Sequence, residues 1–249
     1  MILVVETWTP VVEPSARQSL TDIAYWSLTE AIFDRDFPPG GRLGIDAAAK
    51  RLNMSITPVR EALARLASAG LISQSANKGF TVTPLLTAAE FHALFTARRV
   101  LETEALRPRP DGSGAAARIG DPGLIDDAVI ERLAALAARM REAGRGPTYG
   151  SYGGFSGLDS QFHQALVELG GNRFLSNAWR GLHFHLHVSR LYAGSGVIDF
   201  DQATTEHEAI LRAVRRRDGA ALTTEAAEHI VGAEERLQRL LQPNGRESL

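Results

Sequence analysis

The chain has 249 residues, 44% hydrophobic and 22% charged, with a net charge of −2, a composition that suits one large globular domain or two smaller ones. It contains no cysteine, which excludes disulfides and thiolate metal ligands, so a transition-metal site must draw on histidine and carboxylate. No apolar run approaches the roughly 20 residues that span a bilayer, and MILVVETWTP lacks the basic start and apolar length of a secretory signal. A cytoplasmic protein with no membrane partner is expected.

Residues 1–17 carry no periodic pattern and read as an N-terminal arm. A helical period begins near Leu20, with Ile23, Ala24, Leu28, Ala31 and Ile32 on one side, and stops at the breaker cluster FPPGG at 37–41. A short helix over Asp46–Leu52 follows. Ser55 or Thr57 can then cap a helix over Val59–Ala69, with Pro58 suited to its first turn and Gly70 to its end. LISQ and FTVTP have strand character and are joined by the turn-forming SANKG at 75–79. Three helices and a two-stranded ribbon predict a winged helix-turn-helix over 18–84.

From Thr87 the pattern is helical, with helices predicted over 87–107, 125–144, 158–170, 173–194, 202–217 and 219–241. Pro108–Pro122 reads as a loop rich in Pro, Gly and Ser, and Gly144–Gly157 as another, with Tyr149 and Tyr152 among its glycines. The expected fold is mainly α: the winged helix-turn-helix, then an all-α antiparallel bundle over 87–241 with its own core, and a tail over 242–249.

On the helix LDSQFHQALVELGGN, Asp159 and His163 lie one turn apart beside the apolar stripe Phe162, Leu166 and Leu169. Residue types and spacing leave open a surface ion pair, a satisfied core pair and half of a metal site. His183 and His187 in HFHLH share a helix face, while His185 points away. They fit a polar lining of a cavity or surface better than an added ligand or effector contact.

MSITPVREALARLASAGLISQ followed by NKGFTV resembles the GntR family of bacterial transcription regulators, over roughly residues 18–83. The resemblance implies that Thr57, Pro58, Arg60, Arg65, Lys78 and Gly79 contact double-stranded DNA, and that a homodimer sets two recognition helices on a pseudo-palindromic operator. Independently, Thr57-Pro58 opens a helix whose N-terminal N–H groups suit a phosphate. Residues 20–84 hold seven basic and six acidic side chains, so the module is only weakly basic. Two positions depart from the family: Ile56 stands where an arginine is usual, and Ala47 where an arginine or other polar residue is common. An atypical operator, or weak binding without ligand, is the expectation.

The remainder, roughly 87–240, resembles the FCD ligand-binding domain of the FadR-type branch, with a length like the VanR-like group. The motifs are RRVLE at 98–102, DSQFH at 159–163, GN at 171–172, TEHEAIL at 205–211 and AEHI at 227–230. Carried over residue by residue, the resemblance implies that Asp159, His163, His207 and His229 bind a divalent metal. That donor set suits Zn2+ foremost and also Ni2+, Co2+, Mn2+ or Fe2+. It also implies a small carboxylate effector, for which Arg98, Asn172 and Arg190 are candidate partners, with His183 and His187 beside them. Arg98 reads equally as an intrahelical partner of Glu102, and Arg190 as a solvent-facing residue. The implied function is a regulator, a repressor by family expectation, whose operator affinity follows a small organic acid at the metal. A direct metal-ion sensor is the alternative. A bundle metalloenzyme is disfavoured, since no carboxylate or lysine stands at a spacing that marks a general base.

Overall fold

The computed structural model describes residues 19–75, 79–107, 115–119, 127–182 and 184–242, apart from the side chains at 116, 117 and 184–186. The arm at 1–17, the wing tip Ala76–Lys78, His183 and the tail from 243 lie outside the described residues. The chain divides into two compact units, Met1–Pro84 and Leu85–Leu249.

In the first unit, α1 (Leu20–Phe33) opens on a reciprocal cap: Ser19 Oγ accepts from the Asp22 N–H at 3.1 Å, and Asp22 accepts from the Ser19 N–H at 3.3 Å. It buries Leu28, Ile32 and Phe33 and packs against α3 (Ile56–Ser68). Between them α2 (Ile45–Leu52) ends at Asn53 in the left-handed region, a conformation asparagine tolerates. The α3 helix starts three residues before the expected Val59. Ser55 occupies the cap position without a side-chain hydrogen bond, and Pro58 is the third helical residue, where its missing N–H costs nothing. Strands β1 (Arg42–Leu43), β2 (Ile72–Ser75) and β3 (Gly79–Val82) form an antiparallel sheet ordered β1-β3-β2, with Arg42 opposite Thr81 and Ser73 opposite Thr81 from the other side. The ribbon is therefore three-stranded. Two residues are too short a run to show alternation, so β1 was invisible in the sequence.

The second unit is helical among the described residues: α4 (Ala88–Leu106), α5 (Ala115–Ile119), α6 (Asp127–Glu142), α7 (Tyr149–Leu169), α8 (Arg173–Gly181), α9 (Phe184–Ser189), α10 (Phe200–Arg215), α11 (Gly219–Gln238) and a 3-10 turn at Arg239–Leu241. Its core joins Phe91 and Phe95 of α4 to Leu133 and Met140 of α6, Phe162 and Leu166 of α7, Ile210 and Val214 of α10, and Ile230 and Leu237 of α11.

Three expectations are corrected. Gly144–Gly157 is not wholly a loop, because α7 begins at Tyr149 and runs through Gly150, Gly153, Gly154 and Gly157. Each glycine costs a helix roughly 1 kcal/mol relative to alanine. Burial of Tyr152, Phe155 and Leu158 offsets that cost, with the Tyr152 ring edge-on to Tyr149 and Tyr192 and the Phe155 ring 5.1 Å from Phe200. The helix expected over 173–194 is divided into α8 and α9 and ends at Ser189. The stretch 108–122 includes the short α5, which anchors the buried Ile119. Just before the GN motif, a Cβ on Gly170 would sit 2.4 Å from the Ala105 carbonyl oxygen, so Gly170 lets α7 approach α4, and Gly171 has φ +70°, a conformation that favours glycine. Among the described residues no helix is long and apolar enough to cross a membrane.

Candidate metal centre and the adjoining cavity

Three helices converge their polar side chains on one interior point. On α7, Ser156, Asp159 and His163 follow at i, i+3 and i+7 and therefore share a face; α10 supplies His207 and α11 supplies His229. The His163 Nε2 lies 3.2 Å from His207 Nε2 and 3.1 Å from His229 Nε2. Asp159 Oδ1 is 3.2 Å from His207 Nε2 and 3.7 Å from His163 Nε2. All three imidazoles are buried, and Asp159 is half-buried.

The outer nitrogens show what these rings present inward. His163 Nδ1 is 2.8 Å from Glu102 Oε2, and His229 Nδ1 is 2.7 Å from Glu206 Oε2. A carboxylate accepts only, so both Nδ1 atoms carry the proton and each neutral ring turns a bare Nε2 lone pair inward. Two such lone pairs at 3.1 Å repel unless a cation sits between them. A proton is a poor choice. Burial, then Arg98, pushes the His163 imidazolium down, and burial, then His207 and His163, pushes that of His229 well down. One carboxylate oxygen and three imidazole nitrogens fit a borderline divalent ion. The three separations of 3.1–3.2 Å agree with the roughly 3.0–3.4 Å edges of a coordination shell built on metal–nitrogen bonds of about 2.0–2.1 Å, while Asp159 Oδ1 stands wider from His163 at 3.7 Å.

The supporting carboxylates are themselves held. Glu102 Oε1 accepts from Arg98 Nε at 2.6 Å and from Trp179 Nε1 at 2.8 Å. Burial pushes the Glu102 carboxyl up, but Arg98 and His163 outweigh it and bring it to about 2. Asp159 is likewise raised by burial and pulled well below the carboxylate range by His163 and His207. Glu206 is clamped by Arg236 through two parallel bonds, at 2.8 and 2.7 Å. Such partners fix ring orientation and tautomer and commonly tune metal affinity.

A cavity of about 30 Å3 adjoins the cluster, with polar walls from Arg98, Ser156, Asp159, Tyr192, Asp199 and His229 and apolar walls from α7, α9, α10 and α11. It has room for a water or two, at roughly 10–15 Å3 each.

The other expected site residues divide. Arg98 lines the cavity and also makes the intrahelical pair with Glu102. Arg190 does not face solvent: it is 3% exposed, and it is not among the cavity-lining residues. The Asn172 side chain caps α8, its Oδ1 accepting from the N–H groups of Phe174 and Leu175 at 3.0 and 3.3 Å, which ties it to a structural task. His187 is half-buried, and His183 lies outside the described residues. In the winged unit Thr57 and Arg60 are exposed on α3, and so are the two departures from the family pattern, Ile56 on α3 and Ala47 on α2. Gly79 is exposed with φ +72°, and Lys78 lies outside the described residues. Pro58 is buried, so its ring shapes the helix start rather than meeting a ligand. Arg65 is exposed, with Asp22 at 2.7 Å and the Tyr25 ring 4.4 Å from its guanidinium, so this surface pair links α3 to α1.

Sequence reasoning missed Glu206, Trp179, Tyr192, Asp199, Arg236 and Ser156, and it had Glu102 only as the partner of Arg98. Ser156 was legible in principle, one turn before Asp159, once the glycine-rich stretch is allowed to be helical. Glu206 directly precedes the candidate ligand His207, but nothing local marks which residue it orients.

Comparison with known proteins agrees with this architecture. Residues 20–82 match the model of the bacterial regulatory proteins of the gntR family, and residues 93–232 match the FCD domain. The HTH-type transcriptional regulator YdhC of Bacillus subtilis (strain 168) is 26% identical over 219 residues, covering 88% of this chain and 91% of its own. The Nta operon transcriptional regulator of Aminobacter aminovorans is 30% identical over 172 residues, 69% of this chain and 71% of its own. The crystal structure of a GntR transcriptional regulator from Rhodococcus sp. RHA1 superposes with a TM-score of 0.63 at 23% identity, over 88% of this chain and 98% of that one. The chain belongs to the GntR family and is a DNA-binding transcription regulator rather than an enzyme, its helical unit being an FCD domain.

Proposed function

We propose that this regulator binds a divalent metal through Asp159, His163, His207 and His229, and that a small organic acid joining that site controls its affinity for operator DNA. The observation that carries the reading is the inward convergence of imidazole Nε2 atoms 3.1–3.2 Å apart, two of them with Nδ1 tied to a carboxylate. A bound divalent ion supplies positive charge and coordination positions that a carboxylate can complete. Glu102 and Glu206 hold the imidazoles of His163 and His229 in the ligating tautomer. Arg98 presents a guanidinium to the same cavity and helps neutralise an incoming anion.

The exposed N-terminal residues of α3, Thr57 and Arg60, together with Lys78 and Gly79 of the wing, meet DNA in this reading. A homodimer sets two such helices on a pseudo-palindrome, and the acid lowers affinity as expected of a repressor, through a coupling of order 1–3 kcal/mol. The test is fluorescence anisotropy on a duplex selected from random sequences by the full-length protein. It is read with the metal-free protein, with Zn2+ alone, and with Zn2+ plus a panel of short carboxylic acids. Weakening that needs both Zn2+ and an acid supports the reading. A response complete with Zn2+ alone makes the protein a metal sensor, and no response to either overturns it.

A further inference from the structure

The outer face of α3 carries an apolar residue whose exposure the packing of the winged unit does not account for. The inner face is Pro58, Val59, Ala62, Leu63 and Leu66, at helical spacing. Val59, Leu63 and Leu66 are at 0% exposure, whereas Ile56, the remaining large apolar residue of the helix, is 43% exposed. A β-branched residue is only a middling helix former, so neither propensity nor full burial explains isoleucine at this place.

The outer residues divide by what they touch. Toward α1, Glu61 accepts the Thr21 hydroxyl at 2.7 Å and Arg65 meets Asp22 at 2.7 Å, so both are engaged within the unit. Ile56 and Arg60, at i and i+4, share a face and stand about 6 Å apart along the helix axis. Both are exposed, as are Ser55 and Thr57 on either side of Ile56. The helix therefore offers a short outward stripe, apolar at its start and cationic one turn on.

In a helix-turn-helix the second helix of the motif lies in the major groove, and its N-terminal residues reach base edges. A guanidinium there reads a guanine edge or a phosphate, but an isoleucine has neither donor nor acceptor. Against guanine or adenine it would cover polar atoms without giving them a hydrogen bond. The methyl group that unmodified DNA displays in the major groove is the C5 methyl of thymine. Resting on the proposed docking of α3, we infer that Ile56 is a specificity residue: it packs on the 5-methyl group of a thymine beside the contact made by Arg60. It selects an A·T pair there by apolar contact rather than by a hydrogen bond. The metal centre plays no part in this inference.

The experiment uses full-length protein and the duplex it selects from random sequences. Each thymine is replaced in turn by uracil, which deletes the methyl group and keeps the base pair, and affinity is read by fluorescence anisotropy. One thymine in each half-site is expected to lose about fourfold in affinity, as the loss of one buried methyl group warrants. Ile56→Ala binds the thymine duplex at least that much more weakly and is indifferent to uracil at the same position, while Ile56→Val keeps the sensitivity. Selection repeated with Ile56→Arg moves the preferred base at that position from thymine to guanine. Arg60→Ala serves as the control for docking and weakens binding to thymine and uracil duplexes alike. If no uracil changes affinity by about twofold, or if Ile56→Ala stays as sensitive as the parent at the same thymine, the methyl assignment is overturned, and weakening by Arg60→Ala leaves the docking reading in place. If Ile56→Ala and Arg60→Ala both bind like the parent, α3 does not lie in the groove, and the docking reading fails together with this inference.

Discussion

Both units carry ion pairs at the surface, and among the described residues the helical unit also buries them. In the winged unit the ion pairs lie at the surface: Arg65 with Asp22, both side chains at least 40% exposed, and Arg51 with Asp36. In the helical unit Arg98, Glu102 and His163 form a chain in which every side chain is at most 2% exposed. Surface charge remains solvated whether or not it finds a partner, so it is available to an incoming polyanion and contributes little to stability. Buried charge has lost its water and depends on each neighbour, so it persists only where it orients something. The contrast separates a surface suited to DNA from an interior that, in the proposed function, holds a ligand.

The largest effect that would sharpen this contrast comes from Glu102→Ala. It strands the Arg98 guanidinium in the core and is expected to cost about 3–5 kcal/mol, seen in chemical denaturation of the metal-free protein. A loss below about 1 kcal/mol would break the comparison, because Glu102 would then be behaving like a surface residue. Glu206→Gln keeps the size of the side chain but weakens the support of His229 Nδ1 and the Arg236 fork. Zn2+ affinity should fall roughly 10–100-fold in a competition titration, with helix content by circular dichroism unchanged.

Acidity gives the next test. His163 and His229 have their pKa values lowered by burial, so below their ordinary value of 6.5 the unfolded chain takes up protons that the folded chain refuses. Stability of the metal-free protein is therefore full above pH 6.5 and falls as pH drops, by up to about 1.4 kcal/mol per pH unit for each histidine. Glu102, at about 2 when folded, adds its own loss once the pH falls below about 4.5. Denaturation midpoints flat between pH 7.5 and 5.5 would contradict the buried, neutral assignment. The smallest effect belongs to Asp36→Ala in the winged unit, where the exposed pair with Arg51 should be worth under about 1 kcal/mol in the same assay.

The two units also differed in how much could be read from the sequence. The winged unit's chemistry sits in one contiguous stretch, so helix starts, turn and wing were visible locally. What went unseen were the tertiary commitments: Arg65 drawn to Asp22 across 43 positions, Pro58 turned inward, and a two-residue strand at Arg42–Leu43. The four candidate ligands of the helical unit stand out because histidine is scarce and helical spacing puts Asp159 and His163 on one face. Their supports are long-range: Glu102 meets His163 across 61 positions and Trp179 across 77. Ser156 was lost to the start of α7, where aromatic burial overrides the glycines.

The most direct test of the central claim is metal content by inductively coupled plasma mass spectrometry, on untagged protein purified without chelator and on the His207→Ala, His229→Ala double variant. The account predicts about one divalent ion per chain in the parent and none in the variant. Metal-free parent protein that also takes up no Zn2+, Ni2+ or Co2+ on dialysis would contradict it, and the inward-facing imidazoles would then be a polar core alone.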